Sequence, residues 1–231
     1  MDTASTQHLT IGALVFPRMD QIDLTGPFEV LSRLPHSNFL LMAKHLAPVR
    51  DIQGLILTPE ITLADAPQLD VLVVPGGFGQ QELMDDEEVL GFLHTQAAGA
   101  QYVFSVCTGA LLLGAAGLLR GVRATTHWST FHLLEYFGAI PVDSRVVVDG
   151  RTISAAGATS GIDGALRLAA LLRGDLVAQA IQLAIEYAPE PPFSSGSPRT
   201  APPEVLAVAR DRIREISDTR LKTAKRIAAR M

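Results

Sequence analysis

An apolar, β-rich run, Tyr102–Val106, stops at the only cysteine of the chain, Cys107. A small Thr108-Gly109 follows, and then a second apolar stretch, Ala110–Leu119, reads as a helix. Strand, cysteine and helix in that order describe a nucleophile elbow, a sharp turn that lifts a side chain clear of a sheet and aims it across a helix N-terminus. The positive end of such a helix favours thiolate, the reactive form of cysteine. A lone cysteine is equally a small buried hydrophobe, so the turn alone leaves both readings open. A single cysteine excludes an intrachain disulfide and any multi-cysteine metal site.

The strand-then-helix alternation extends along the chain. Leu9–Phe16 predicts a buried first strand, followed by a loop that carries Asp23. Pro27 suits the first turn of a helix over Phe28–Leu34, with Thr25 or Gly26 as its cap. Asn38–Ala43 and Leu55–Leu57 carry weak strand signals, and Asp70–Pro75 a strong one, closed by Gly76-Gly77. Asp85–Ala98 predicts a helix with acids in its first turn. Ser129 can cap a helix through Phe137, and Asp149-Gly150 predicts a hairpin between Arg145–Val148 and Thr152–Ala155. Ile162–Leu172 reads as helix, broken by Gly174 and resumed to Tyr187. Residues 188–203 hold six prolines and read as loop, and Glu204–Arg230 as a final amphipathic helix or two. This alternation predicts a parallel sheet covered on both faces, with ligands beyond the carboxyl ends of its strands. Cys107, Gly76-Gly77 and the Asp23 loop all follow strand ends, so they are expected to converge.

Charge and hydropathy narrow the function classes. A net charge of −5 gives no global attraction to nucleic acid. Residues 210–231 run the other way, with eight Lys/Arg against three Asp/Glu, and read as a solvated helix face. The N-terminal ten residues lack the form of a signal peptide, and the longest apolar run is too short to span a bilayer. A cytoplasmic protein with no membrane partner is the expectation.

Candidate chemistry gathers around the cysteine. Asp23 sits between Ile22 and Leu24, and a carboxyl partly desolvated near a thiolate has its pKa raised, which suits proton transfer. It reads equally as a loop or N-cap aspartate. Gly76 and Gly77 allow paired backbone N–H groups to approach a developing negative charge, or simply form a turn. Thr108 can donate its hydroxyl to the sulfur or to Asp23, or bond to backbone. Of six histidines, no pair has metal-ligand spacing in an apolar context, so no metal site is expected. His127, in Ala-Thr-Thr-His-Trp, is a cysteine partner or, preferably, a packed residue hydrogen-bonded through its ring, and Trp128 is core or the wall of an apolar pocket. No G-x-G-x-x-G follows the first strand, which removes a dinucleotide.

Taken together, I-D-L-T-G-P, V-V-P-G-G, S-V-C-T-G-A and A-T-T-H-W-S resemble the ThiJ/PfpI superfamily over about residues 9–172. Within it, Q-I-D-L-T-G-P, Cys107-Thr108, G-A-T-S-G-I-D (157–163) and the segment 185–202 resemble the isocyanide hydratases, and the likeness then covers nearly the whole chain. The resemblance implies a flavodoxin-like three-layer α/β sandwich with a mostly parallel central sheet and a C-terminal helix. It implies a single domain over 1–231, with a core at 9–187, a proline-rich loop at 188–203 and a C-terminal helix at 204–230. It also implies a homodimer and a cofactor-independent hydro-lyase. Cys107 is then the nucleophile that forms a thioimidate, Asp23 the general acid/base and Thr108 a hydroxyl donor. Gly157 and Ala158 approach the cysteine, and Gly76, Gly77, His127 and Trp128 join them around a small isocyanide. Proteases of the superfamily carry histidine after the cysteine, where this chain has Thr108. Two alternatives keep the fold: a glyoxalase- or deglycase-like enzyme, and a ligand-sensing domain related to AraC-type regulators, for which about thirty residues beyond the proline-rich loop are too few for paired helix-turn-helix units.

Overall fold

A computed structural model describes residues 7–230. The strands are β1 (Leu9–Leu14), β2 (Ser37–Ala43), β3 (Val49–Arg50), β4 (Ile56–Leu57), β5 (Ile61–Thr62), β6 (Val71–Val74), β7 (Tyr102–Val106), β8 (Arg123–Ala124), β9 (Ile140–Pro141), β10 (Val146–Asp149) and β11 (Thr152–Ala155). Seven of them form the central sheet in the order β10-β11-β7-β6-β1-β2-β5, while β3-β4 and β8-β9 are two-stranded ribbons. Every neighbouring pair in the central sheet is parallel except the hairpin β10-β11. Its two-residue loop is Gly150-Arg151, one position later than the Asp149-Gly150 signal, with Gly150 at φ +57° and Asp149 still paired to Thr152. β1 and β6 are buried on both faces, as strands covered by helices must be.

The helices are α1 (Ile22–Leu31), α2 (Gln80–Leu83), α3 (Glu87–Gly99), α4 (Gly109–Ala115), α5 (Ser160–Arg173), α6 (Asp175–Ala184), α7 (Pro203–Arg212) and α8 (Arg214–Ala228). Alternation along β7 assigns the layers. Phe104 and Val106 face α5, where a Cβ on Gly164 would come within 2.7 Å of the Phe104 ring and one on Gly161 within 3.1 Å of Val106, and α1 packs on α5. Val103, on the opposite face of β7, meets Ala97 of α3 and Leu113 of α4 around a shared hollow. This is the flavodoxin-like α/β sandwich.

Three predicted elements differ in ways that matter for the site. The first helix begins at Ile22, six residues before the predicted start, so Asp23 lies inside it and Pro27 is interior rather than first-turn. Proline lacks an N–H, so its cost is one helical bond to the Asp23 carbonyl. Close packing of Gly26 on Ile162 and of Pro27 on Gly161 outweighs that local preference. The helix after the cysteine is only seven residues long, because the chain turns after Ala115. The C-terminal region forms two helices, and α8 is not merely a solvated face: it packs on the Trp128–Phe137 3-10 helix and buries Arg220, Thr223 and Ala224. Among the described residues no helix is long and apolar enough to cross a membrane.

Candidate active site

Four strands deliver the site at their carboxyl ends. β1 leads to Asp23, β6 to Gly76-Gly77, β7 to Cys107-Thr108 and β11 to Gly157-Ala158. Cys107 sits at φ +56°, a conformation that non-glycine residues rarely adopt. Its N–H donates to Ala155 O (3.1 Å), and its carbonyl accepts from Thr126 Oγ1 (2.7 Å). The Ala-Thr-Thr-His-Trp segment therefore pins the elbow through Thr126. A strand, a residue at positive φ and a helix thus follow one another at Cys107, the backbone order that the sequence predicts.

Asp23 is fully buried. Its Oδ2 accepts the Gly76 N–H at 3.0 Å, while Oδ1 has no hydrogen-bond partner at ordinary distance among the described residues. Burial first, and then the charge of Asp20, push its pKa from 3.8 to about 8; bonds from Gly76 N–H and the neighbouring Cys107 thiol oppose this only in part. Cys107 is buried, 8% exposed. Burial and the adjacent Asp23 charge raise its pKa, while the N–H groups of Ala158 and Thr108 and the charge of Arg220 pull it down. Burial is the largest of these influences on the thiol. The charge of Asp23 thus resists ionisation of Cys107, while the Cys107 thiol, as a hydrogen-bond donor, favours that of Asp23.

The glycines and Thr108 are placed differently from the oxyanion reading. The Gly76 N–H is committed to Asp23, and the Gly77 N–H to Thr108 Oγ1 (3.1 Å). Thr108 Oγ1 faces the Gly77 peptide, whose carbonyl it also approaches (3.3 Å), rather than the sulfur or Asp23. The donors near the sulfur are instead the N–H groups of Ala158 and Thr108. A Cβ on Gly76 would lie 2.5 Å from Thr108 N and 3.0 Å from Asp23 Oδ2, so glycine is required for this close approach.

His127 caps the 3-10 helix, its Nδ1 paired with Ser129 Oγ at 2.7 Å. Burial, and after it the charge of Arg220, lower its pKa to about 4. The ring is therefore neutral near pH 7 and forms no imidazolium–thiolate pair. It packs against Gly157, where a Cβ would come within 2.8 Å of the ring. His127, Trp128, Phe131, Gly157 and Ala158 share the wall of a cavity of about 520 Å³ with the charged Asp143, Arg145 and Arg199; neither Cys107 nor Asp23 lines it.

Sequence reasoning missed one residue here. Arg220 of α8 is 3% exposed, and its Nη2 donates to Gly77 O at 2.6 Å. The signal was present: Ile216, Arg220, Ala224 and Ile227 lie along one helical stripe, with a cation where an apolar residue is expected.

The DJ-1/PfpI family profile matches residues 10–171. An isonitrile hydratase from Pseudomonas putida is 52% identical over 223 residues, 96% of this chain and 98% of that protein. A ThiJ/PfpI family protein from Pseudomonas syringae superposes with a TM-score of 0.91 at 40% identity, covering 96% of this chain and 91% of that one. The HTH-type transcriptional regulator GbdR from Pseudomonas aeruginosa is 33% identical over 117 residues, 50% of this chain but 32% of the regulator.

Proposed function

This chain belongs to the DJ-1/PfpI family, and on that premise we propose that it is an isocyanide hydratase, adding water to R–N≡C to give an N-substituted formamide. The observation that carries the chemistry is a fully buried carboxyl, held by Gly76 N–H beside the only cysteine, with its pKa near 8. Similarity along nearly the whole chain to an isonitrile hydratase supports the substrate class. The likeness to the regulator GbdR spans half of this chain, whereas the hydratase match continues through the C-terminal helices.

In the reactive form Cys107 is thiolate and Asp23 carries a proton. Burial keeps the proton on Asp23 and opposes charge on the sulfur as well; the Ala158 N–H, the Thr108 N–H and Arg220 act against that second effect and toward thiolate. The terminal carbon of an isocyanide accepts both a nucleophile and a proton. The thiolate attacks it as Asp23 delivers a proton to the same carbon, giving the thioimidate R–N=CH–S and an Asp23 carboxylate. The carboxylate takes a proton from water as the oxygen adds to carbon, then passes that proton to nitrogen. Collapse of R–NH–CH(OH)–S breaks the carbon–sulfur bond and returns the hydroxyl proton to Asp23. The products are R–NH–CHO and the starting thiolate. Protein groups alone complete this cycle, so no cofactor enters it.

Thr108 and Gly77 hold the frame of the site. His127, Trp128, Gly157 and Ala158 bound the space for the substituent R. The chain acts as one domain, α7 and α8 included, and as a homodimer. The test is formamide formation from an aliphatic and an aromatic isocyanide, with methylglyoxal offered in parallel. Turnover of both isocyanides, lost in Cys107→Ala and Asp23→Asn, is the expected result. Formamide production retained in Cys107→Ala would overturn the covalent mechanism, and turnover of methylglyoxal alone would replace the assignment.

A further inference from the structure

We propose that Arg220, delivered by α8, is a positioning residue of this site: it fixes the Gly77–Thr108 frame and supplies the positive charge that favours thiolate at Cys107. The inference deepens the proposed function, since a cysteine nucleophile is what such a charge would serve.

Three observations carry it. The first is location. Nη2 of Arg220 donates to Gly77 O at 2.6 Å and lies 3.5 Å from Thr108 Oγ1. Gly77 N–H bonds that same hydroxyl, and the preceding Gly76 N–H holds Asp23. One guanidinium therefore braces the turn that orients both the acid and the residue after the nucleophile. The second is isolation. Arg220 is 3% exposed, its Nε has no hydrogen-bond partner, and among the described residues no carboxylate pairs with it. A cation buried without a counter-ion costs stability, and such a cost persists where the charge has a use. Its pKa falls to about 10 through burial, with the Cys107 charge opposing that fall. It therefore stays a cation near pH 7. The third is anchorage. The guanidinium lies 5.9 Å from the centre of the Phe78 ring, and one turn further along α8 Thr223 Oγ1 accepts from Gln81 Nε2 at 2.7 Å. Both contacts lock α8 onto the segment that follows Gly77, so the charge is held rather than swinging on a flexible stem.

Burial is the first influence on the Cys107 thiol and raises its pKa; the Asp23 charge from α1 adds to that rise, while the Ala158 and Thr108 N–H groups and the Arg220 charge from α8 oppose it, and Asp20 acts on Asp23. His127 is uncharged near pH 7. Arg220 is thus the cation that offsets Asp23.

Cys107 is the only cysteine, so its titration is read directly from far-ultraviolet thiolate absorbance, with Cys107→Ala subtracted. The parent is compared with Arg220→Gln, which removes the charge, and Arg220→Lys, which keeps it and loses the planar fork. The thiol midpoint is expected to rise by about one pKa unit in Arg220→Gln and to return most of the way in Arg220→Lys. Circular dichroism verifies the fold of each variant. If Arg220→Gln fails to fold, the lysine variant still decides, because a midpoint within 0.3 units of the parent supports charge and a full unit's rise overturns it. A folded Arg220→Gln whose titration superimposes on the parent also overturns the proposal. No isocyanide is present in this measurement, so absence of isocyanide turnover in the parent would overturn the proposed activity without touching this result.

Discussion

Replacing Asp23 by asparagine is expected to abolish turnover and, as pH rises, to make the protein progressively more stable than the parent. Asp23 is fully buried, and burial, followed by the charge of Asp20, lifts its pKa from 3.8 to about 8. In the unfolded chain the carboxyl ionises near its ordinary value, while the folded protein keeps the proton. Between those two values the unfolded state binds fewer protons, so stability falls as pH rises. The contribution is fully present below the unfolded pKa and is lost as pH passes through the folded one. The slope is about 1.4 kcal/mol per pH unit, and across the window the loss is on the order of 5 kcal/mol. Asparagine has no such slope. Its oxygen can still accept from Gly76 N–H, while its amide group occupies the place of the unpartnered Oδ1, a cost of about 1–3 kcal/mol that does not vary with pH. The stability difference therefore moves toward asparagine by about 3 kcal/mol between pH 5 and pH 7, or roughly 6–12 °C in melting temperature for a chain of this size. Urea unfolding of both proteins at the two pH values, at one protein concentration, measures it. A difference that stays constant to within about 0.5 kcal/mol would refute the raised pKa, and with it Asp23 as a proton donor near neutrality.

The same carboxyl sets the pH profile: kcat/KM for an isocyanide is expected to fall above about pH 8, as Asp23 loses its proton, and a rate still climbing at pH 9 would contradict its role as acid. Gly76→Ala places a methyl group against Thr108 N and Asp23 Oδ2, and is expected to cost about 1–3 kcal/mol in chemical denaturation and at least tenfold in rate. Thr108→Val strips the acceptor from the buried Gly77 N–H, with a loss of about 1–3 kcal/mol that Thr108→Ser restores in thermal melts. Trp128→Ala, in the cavity wall, is expected to raise KM for a bulky aromatic isocyanide while leaving a small aliphatic one within about twofold, as steady-state kinetics would report.

What was legible in the sequence was what local chemistry specifies. The strand-cysteine-helix order fixed Cys107 at an elbow, and the glycines after the sixth strand marked a close backbone approach. The converging loops followed from the rule that parallel sheets gather ligands at their carboxyl ends. Asp23 was legible as a candidate acid but not as a helical residue, since Pro27 and Gly26 locally argue against a helix that packing on α5 maintains. Its pairing with Cys107 came through family resemblance, because some eighty residues separate them and no spacing rule reaches that far. The glycine N–H groups could be recognised but their partners could not: Asp23 and Thr108 take them both. Arg220 was hidden by its neighbourhood, one cation among eight in a basic segment, and only the apolar stripe through Ile216, Ala224 and Ile227 distinguishes it.

Cys107 holds its place at φ +56° against its own backbone preference. Glycine occupies that region freely, so Cys107→Gly would relieve about 1 kcal/mol of strain at the cost of the sulfur. Glycine would also give up the buried sulfur and carry a larger entropy cost on folding, so the strain relieved is offset, and under the proposed function the chemistry of the sulfur is what sets the residue at this position. For the proposed reaction, position 107 is the place to look when sorting working descendants of this fold from those that have lost their reaction, because a residue other than cysteine there keeps the strained backbone without the sulfur.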